Sequence, residues 1–245
     1  MQDYDWIQIA YLFSKEPSAE SYELMFEVLS DCQKNGTDSE RFDITYWNND
    51  GTRHDTVAET SEIPRILLDY PTISVKVDMG WDEISIGLSK QNTGIPSYTS
   101  TPYLRFTTWI YALKDPKENN YLDDVKQFRR EFVTVHSRVA SVLEPEWGFG
   151  RRGGLAIGDD QTIEELIDQQ VPPLYEYNVF SEETVEAIGR ERVLSASAYY
   201  VEELDSGGVF LAVREPPTQC SHVAEPCLEV ADHLGLSLAT PERYH

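Results

Sequence analysis

The glycine- and arginine-rich segment Gly148-Phe149-Gly150-Arg151-Arg152-Gly153 is where residue types and spacing first suggest chemistry in this sequence. Its letters match the G-x-G-x-x-G pattern with which dinucleotide-binding folds approach a pyrophosphate. That chemistry requires a strand directly before the glycines and a helix directly after them. Here a long helical pattern and Pro145 precede the segment, and the next helical pattern begins only at Thr162. We therefore predict a surface loop without a cofactor, in which Arg151 and Arg152 offer forked donors to an anion or a protein partner.

Acidic pairs, histidines and cysteines are the other candidates for catalysis or metal binding. The acidic pairs fall mostly at predicted helix starts or on exposed faces, where the helix dipole and solvent explain them. The histidines show no metal-ligand spacing such as H-E-x-x-H, and no nucleophile elbow or phosphate-binding loop is present. Three cysteines, Cys32, Cys220 and Cys227, are an odd and small number, which predicts incidental thiols and no disulfide scaffold. No catalytic residue, metal site or cofactor is predicted, and a metal-dependent hydrolase with dispersed acidic residues is the alternative.

The charge of the chain narrows the classes of partner. It carries 43 acidic and 20 basic side chains, a formal net charge of −23 at pH 7. A polyanion would be repelled by this field, so direct binding of nucleic acid is not expected. A dispersed acidic surface with few lysines is typical of proteins from salt-loving microbes, because molar salt shortens the Debye length to about 3 Å. The alternative is that part of the acidic surface recognises a basic protein partner.

Apolar runs and the N-terminus indicate the compartment. No apolar run approaches the ~20 residues that a membrane-spanning helix needs. The first residues show neither a basic region nor an apolar core of a secretory signal. We therefore predict a cytoplasmic protein that makes no membrane contact.

The pattern of elements predicts an α+β protein in two similar halves. Each half reads as strand, helix, possible strand, short helix and hairpin, with the hairpins around Asp78-Met79-Gly80 and Asp205-Ser206-Gly207-Gly208. Tight hairpins favour an antiparallel or mixed sheet with helices packed mainly on one face. The predicted division is an N-terminal half at 1–90, a linker or long loop at 91–102, a C-terminal half at 103–238 and a loose tail at 239–245.

Single elements are predicted from periodicity and capping residues. Apolar residues at helical spacing predict a long helix from Tyr121 to Leu143. Ser181 and Gly189 predict the start and the end of another helix. Alternating residues predict a strand from Val193 to Val201 that pairs with one from Val209 to Val213.

Tryptophan and tyrosine side chains are the best candidates for contacts with a protein partner. Such rings bury a large area at a small cost in conformational entropy. Trp147 lies beside the glycine-arginine segment, and Tyr175 and Tyr177 cluster in the C-terminal half. Together with Arg151 and Arg152, these three rings form the predicted partner-binding set.

The region from Trp109 through Pro217 resembles the small α+β immunity proteins of polymorphic toxin systems. The similar features are the strand ending Trp109-Ile110-Tyr111-Ala112-Leu113, the helix leading to Pro145-Glu146-Trp147-Gly148, the Pro172-Pro173 pair and the Gly207-Gly208 hairpin. The resemblance implies a non-catalytic binder that blocks a toxin, and it transfers no site residue to this chain.

These observations favour a non-enzymatic cytoplasmic protein that works by binding another protein, as a toxin-neutralising immunity or accessory factor from a high-salt organism. The alternatives are the metal-dependent hydrolase and a viral or assembly component, for which self-association would be the sign.

Overall fold

A computed structural model of the chain describes residues 5–32, 41–48, 50–70, 72–79, 83–89, 103–115, 122–153, 155, 172–220 and 225–239. The predicted linker at 91–102, the helical pattern predicted from Thr162 and residues 240–245 of the predicted tail lie outside these residues.

Ten strands and six helices make up the part of the chain that the structure describes. The strands are β1 (Trp6–Leu12), β2 (Arg41–Trp47), β3 (Arg53–Glu59), β4 (Thr72–Asp78), β5 (Glu83–Ser89), β6 (Tyr103–Trp109), β7 (Trp147–Arg152), β8 (Tyr177–Phe180), β9 (Tyr200–Glu203) and β10 (Val209–Ala212). The helices are α1 (Ala19–Cys32), α2 (Ile63–Asp69), α3 (Leu122–Leu143), α4 (Glu182–Ile188), α5 (Arg190–Leu194) and α6 (Glu225–Leu234). None of the helices within the described ranges is long and apolar enough to cross a membrane.

All ten strands belong to one antiparallel sheet in the order β3-β2-β4-β5-β6-β1-β7-β8-β10-β9. The first strand of the chain occupies the centre, where Ile9 faces Phe106 of β6 on one side and Gly150 of β7 on the other. The predicted α+β class is therefore confirmed. The two predicted halves share this sheet, and their division into units stays a prediction.

Alternation along the strands separates two hydrophobic cores on opposite faces of the sheet. On β1, Ile7, Ile9 and Tyr11 pack into one core, whereas Ala10 and Leu12 pack into the other. Successive strand residues point to opposite faces, so the two cores lie on the two sides of the sheet. The larger core lies under α1, α2 and α3 and extends from β2 to β10, and the smaller core lies under α4, α5 and α6.

Local sequence signals explain how several helices begin and end. Ser181 accepts a hydrogen bond from the backbone N–H of Thr184 at the start of α4, as its capping position predicts. Gly189 ends α4 with a φ of 105°, a left-handed value that favours glycine. The helix predicted from Tyr121 to Leu143 is confirmed as α3, whose buried residues include Phe132, Val135 and Val139.

The predicted surface loop at Gly148 to Gly153 is wrong, because most of this segment is β7, a strand next to the centre of the sheet. Its glycines allow neighbouring strands and side chains to approach. A Cβ on Gly148 would lie 2.7 Å from a methyl group of Val179, and one on Gly150 would lie 2.6 Å from Ile9 Cγ1. The glycines therefore serve close packing, and no nucleotide site is needed to explain them.

Two further predictions need correction. The predicted strand from Val193 to Val201 begins as the short helix α5, and only its last two residues belong to β9. Cys220 and Cys227 form a disulfide with their Cα atoms 5.9 Å apart, whereas incidental thiols were expected. The prediction relied on the odd number of cysteines. Cys32 is a free thiol, so the other two cysteines remain to form one disulfide.

Candidate functional site

One face of β2 to β6 carries polar side chains that stay accessible to solvent, and we call it the open face. The register of the strands places Thr45, Lys76 and Arg105 on this face, opposite to the buried residues Ile44, Val75 and Phe106. Helices α4 to α6 cover only the other end of the sheet, where the smaller core includes residues of β1, β7, β8 and β10. Lys76 and Arg105 are exposed, and Thr45 is half-buried.

Hydrogen bonds and ion pairs hold the side chains of the open face in fixed positions. Thr45 donates to Asp55 at 2.7 Å, and Arg53 forms an ion pair with the same carboxylate at 2.9 Å. Lys76 and Glu83 form a second ion pair at 3.1 Å. Exposed pairs of this kind contribute about 0–1 kcal/mol each, so their main effect is to arrange the surface.

The border of the open face towards β7 is formed by Gln8. Its side-chain amide donates to Thr107 Oγ1 at 3.2 Å, and its carbonyl oxygen accepts from the backbone N–H of Leu155 at 2.8 Å. Gln8 lies opposite Arg151 in the register between β1 and β7. Arg151 therefore lies on the same side of the sheet as the open face.

The charges of the open face and of Arg151 beside it balance, although the chain as a whole is strongly acidic. Five basic and five acidic side chains lie on this side of the sheet in the described strands β2 to β7. The remaining excess of acidic side chains lies elsewhere on the chain. A neutral, polar surface within an acidic molecule can dock a partner without a large electrostatic cost. The ten residues are Arg41, Asp43, Arg53, Asp55, Glu59, Lys76, Asp78, Glu83, Arg105 and Arg151.

Three aromatic rings stand at one end of the open face, and we call Trp6, Trp109 and Tyr111 the Trp109 cluster. Trp6 and Trp109 lie opposite each other in the register of β1 and β6, with their ring centroids 5.7 Å apart and nearly perpendicular. Tyr111 stacks on Trp109 at 6.0 Å, and Lys114 lies 5.5 Å from the Tyr111 ring. Trp109 is 40% exposed and Tyr111 is 62% exposed.

The Trp109 cluster has the properties of a binding anchor. Large aromatic side chains are enriched at the energetic centres of protein interfaces. Ring contacts with their neighbours hold Trp109 and Tyr111 in place. Lys114 also forms an ion pair with Asp5 at 2.5 Å, which links the turn after β6 to the start of β1. Trp6 and Trp109 sit on the sheet itself, next to the polar rows of the open face, and Tyr111 lies in the turn that follows β6.

The structure separates the five residues that the sequence predicted as a partner-binding set. Trp147, Tyr175 and Tyr177 are 3%, 6% and 1% exposed, so their rings belong to the cores and not to the surface. Trp147 and Tyr175 pack in the smaller core, whereas Tyr177 packs against Phe132 in the larger one.

Arg151 and Arg152 are half-buried at the end of β7, and their side chains leave opposite faces of the sheet. The guanidinium of Arg152 donates to the backbone oxygen of Pro217 at 3.5 Å. A partner contact through these two arginines stays a prediction. The signal that sequence reasoning missed was strand register, which makes Trp109 exposed and Trp147 buried.

Glu176 is a buried carboxylate that the sequence did not single out. It accepts hydrogen bonds from the backbone N–H of Arg152 at 2.6 Å and of Cys220 at 3.0 Å. Burial raises the pKa of Glu176 to about 7, although the two backbone donors and the nearby arginines act against this shift. The carboxylate joins the end of β7 to the segment that carries the disulfide.

No metal centre is found in the part of the chain that the structure describes. No group of three or more histidine, cysteine, aspartate or glutamate side chains within the described ranges could hold a metal ion. His136 is buried, and its Nδ1 lies 3.0 Å from the hydroxyl of Tyr11. Burial lowers the pKa of His136 to about 3, so this ring is neutral at ordinary pH and acts as a core residue.

Comparison with known proteins gives a distant structural neighbour. No protein-family model matches the chain, and no curated protein matches its sequence. The fold is similar to that of a solved structure, the Pseudomonas aeruginosa T6SS protein PA0821. The likeness is one of fold. The TM-score is 0.57 at 12% sequence identity, and the match covers 96% of this chain and 74% of that one.

Proposed function

We propose that this chain is a non-enzymatic protein-binding factor of a bacterial toxin system, acting as an immunity or accessory protein. The observation that carries the proposal is the Trp109 cluster, in which Trp109 and Tyr111 are exposed at the end of a charge-balanced sheet face that none of the described helices covers. The fold likeness to a T6SS protein is compatible with this context. The pattern resemblance of the C-terminal part to immunity proteins points in the same direction.

The overall charge and the open face serve different steps of binding in this proposal. A net charge of −23 attracts a basic protein over a distance and raises the rate of encounter. The open face then receives the partner, whose apolar group packs against the exposed surfaces of Trp109 and Tyr111. Arg105 and Lys76 lie farther along the same face and contact polar groups of the partner.

The test is binding and protection against the protein encoded next to this chain. We expect co-expression to restore growth of cells that produce the neighbouring toxin, and the two proteins to co-elute at the salt concentration of the native host. Failure of every neighbouring secreted protein to bind would contradict the proposal. Loss of protection with intact binding would favour an accessory role over an immunity role.

Substitution of the exposed rings locates the surface. We expect Trp109→Ala and Tyr111→Ala each to weaken partner binding by about tenfold or more, because anchors of this type contribute ~2 kcal/mol or more and a tenfold change corresponds to ~1.4 kcal/mol. Leu24→Ala is the matched control, since Leu24 is 41% exposed on α1, which packs on the opposite face of the sheet. Titration calorimetry measures all three. Unchanged affinity in both ring variants would show that the partner uses another surface.

A further inference from the structure

The free edge of β3 is the outermost strand edge of the sheet on the side of the N-terminal residues. β3 pairs with β2 along all seven of its residues, from Arg53 opposite Trp47 to Glu59 opposite Arg41. It pairs with no other strand among the described residues. The backbone N–H of Glu59 donates to the Glu62 carboxylate at 3.1 Å and its carbonyl oxygen accepts from the Glu62 N–H at 2.9 Å, so the unpaired part of the edge runs from Arg53 to Ala58. An edge of this length is a ready template for another strand.

Edge strands often carry features that prevent such pairing. β3 has three charged residues, Arg53, Asp55 and Glu59, but it lacks the backbone features that block pairing. It contains no proline, its register with β2 runs without a bulge, and Val57 is 53% exposed. Edge β9 at the other end of the sheet is only four residues long and presents Glu202 and Glu203. The β3 edge is thus the longer of the two, and its charges are of both signs, whereas those of β9 are only negative.

The charges of β3 are complementary to a second copy of the same strand. In an antiparallel pair related by a two-fold axis at Thr56, Arg53 lies opposite Glu59 of the other copy, and this contact occurs twice. Asp55 then lies opposite the apolar Val57. Opposite charges in directly facing positions stabilise a strand pair, and like charges destabilise it.

Neighbouring registers lack this complementarity. An axis at Val57 would place Asp55 opposite Glu59, and an axis at Asp55 would place two copies of Asp55 opposite each other. The axis at Thr56 gives the longest overlap of the three. Its backbone pairing is centred on Asp55, Thr56 and Val57, because the backbone groups of Glu59 at each end are bonded to Glu62.

We propose that two copies of this chain associate through antiparallel β3 strands, in the register centred on Thr56, to form one continuous sheet. The axis is perpendicular to the sheet, so the open faces of both copies lie side by side on one surface. This association does not require the partner binding proposed for the open face, although Arg53, Asp55 and Glu59 belong to both surfaces. It buries a small area and is therefore weak and dependent on concentration.

A charge-reversal series tests the proposal by sedimentation equilibrium. We expect Arg53→Glu and Glu59→Arg each to raise the dissociation constant of the dimer by about tenfold, because two facing pairs become repulsive. The double variant R53E/E59R restores the facing pairs and should recover most of the affinity. Arg65→Glu is the matched control, since Arg65 is an exposed residue of α2 that forms an ion pair with Asp69. Its dimer should dissociate as the wild type does.

Cross-linking tests the register itself. In the proposed pair the two Thr56 residues face each other with Cα atoms about 4.5–5.5 Å apart, a distance that a disulfide bridges. We expect Thr56→Cys to give a covalent dimer on oxidation, and Val57→Cys, which faces Asp55 of the other copy, to give much less. A monomer at all concentrations in high and low salt would overturn the proposal, as would equal cross-linking of both cysteine variants.

Discussion

Glu176 shows how a single buried residue can make stability depend on pH. The residue is 6% exposed, and its two carboxylate oxygens accept from backbone N–H groups that lie far apart in sequence, at Arg152 and Cys220. A buried carboxylate costs free energy when it ionises. The residue therefore joins two segments and at the same time makes their junction sensitive to proton concentration.

Replacement of Glu176 by glutamine should remove this sensitivity. The pKa of Glu176 in the fold is raised to about 7, above its ordinary value. The stabilisation that protonated Glu176 gives is complete below the unfolded pKa and is lost as pH rises towards 7. Across that window we expect the unfolding free energy of the wild type to fall by on the order of 3 kcal/mol relative to Glu176→Gln. Urea unfolding of both proteins at several pH values measures the difference.

A second buried residue, His136, also makes stability depend on pH, and its contribution must be separated from that of Glu176. The pKa of His136 is lowered to about 3, so its contribution to stability is present above the unfolded pKa and is lost as pH falls towards 3. This change is opposite in sign to that of Glu176. It is present in both proteins and cancels in their difference. A difference that stays constant between pH 4.5 and 8 would show that Glu176 ionises normally in the fold.

At the scale of the element, β7 shows why glycine can be required within a strand. Gly150 lies opposite Ile9 and Tyr177 in the register of its two neighbours. A Cβ there would also lie 2.8 Å from the backbone oxygen of Gln8, which cannot move without displacing β1. The sequence pattern that suggested a nucleotide loop is instead the result of close strand packing.

Alanine substitutions can separate this packing requirement from the general effect of removing a glycine. We expect Gly150→Ala to lower the unfolding free energy by about 2 kcal/mol or more, because the added methyl group overpacks the centre of the sheet. Gly87→Ala in β5 is the matched control. A Cβ there would lie 3.8 Å from Arg105, an ordinary contact, so its effect should stay within about 0.5 kcal/mol. Equal stability of both variants in urea would contradict the packing argument.

At the scale of the whole molecule, the distribution of charge separates two explanations of the acidic composition. Acidic side chains exceed basic ones by 23, yet the open face and its Arg151 border are balanced. Adaptation to high salt requires only that acidic groups be spread over solvated surfaces. Recognition of a basic partner requires that the acidic side chains be placed where they attract that partner.

Thermal unfolding as a function of salt distinguishes the two explanations. If the charge is an adaptation to salt, screening of self-repulsion should raise the melting temperature by roughly 10 °C between low salt and molar KCl. Sodium sulfate at matched ionic strength and a neutral osmolyte such as sucrose control for effects on apolar burial. A melting temperature that does not change with KCl would contradict adaptation to salt and would favour a role of the net negative charge in partner recognition.

The amino-acid sequence by itself determined the elements whose signals are local. Three such elements could be predicted, because each depends on residues that are close in the chain. They are the helix α3, the Ser181 cap and the β4–β5 hairpin. The α+β class followed from these elements.

Only the tertiary structure decided which residues are exposed and which are central. β1 pairs with β6 and β7 across about a hundred residues or more of chain, and no local pattern specifies that pairing. This register buries Trp147 and Tyr177, exposes Trp109 and turns a glycine-rich segment into a strand. The physical reason is that a one-residue change of register would move every side chain of a strand to the other face. The open face and the β3 edge are therefore properties of the assembled sheet, which no single segment of the sequence displays.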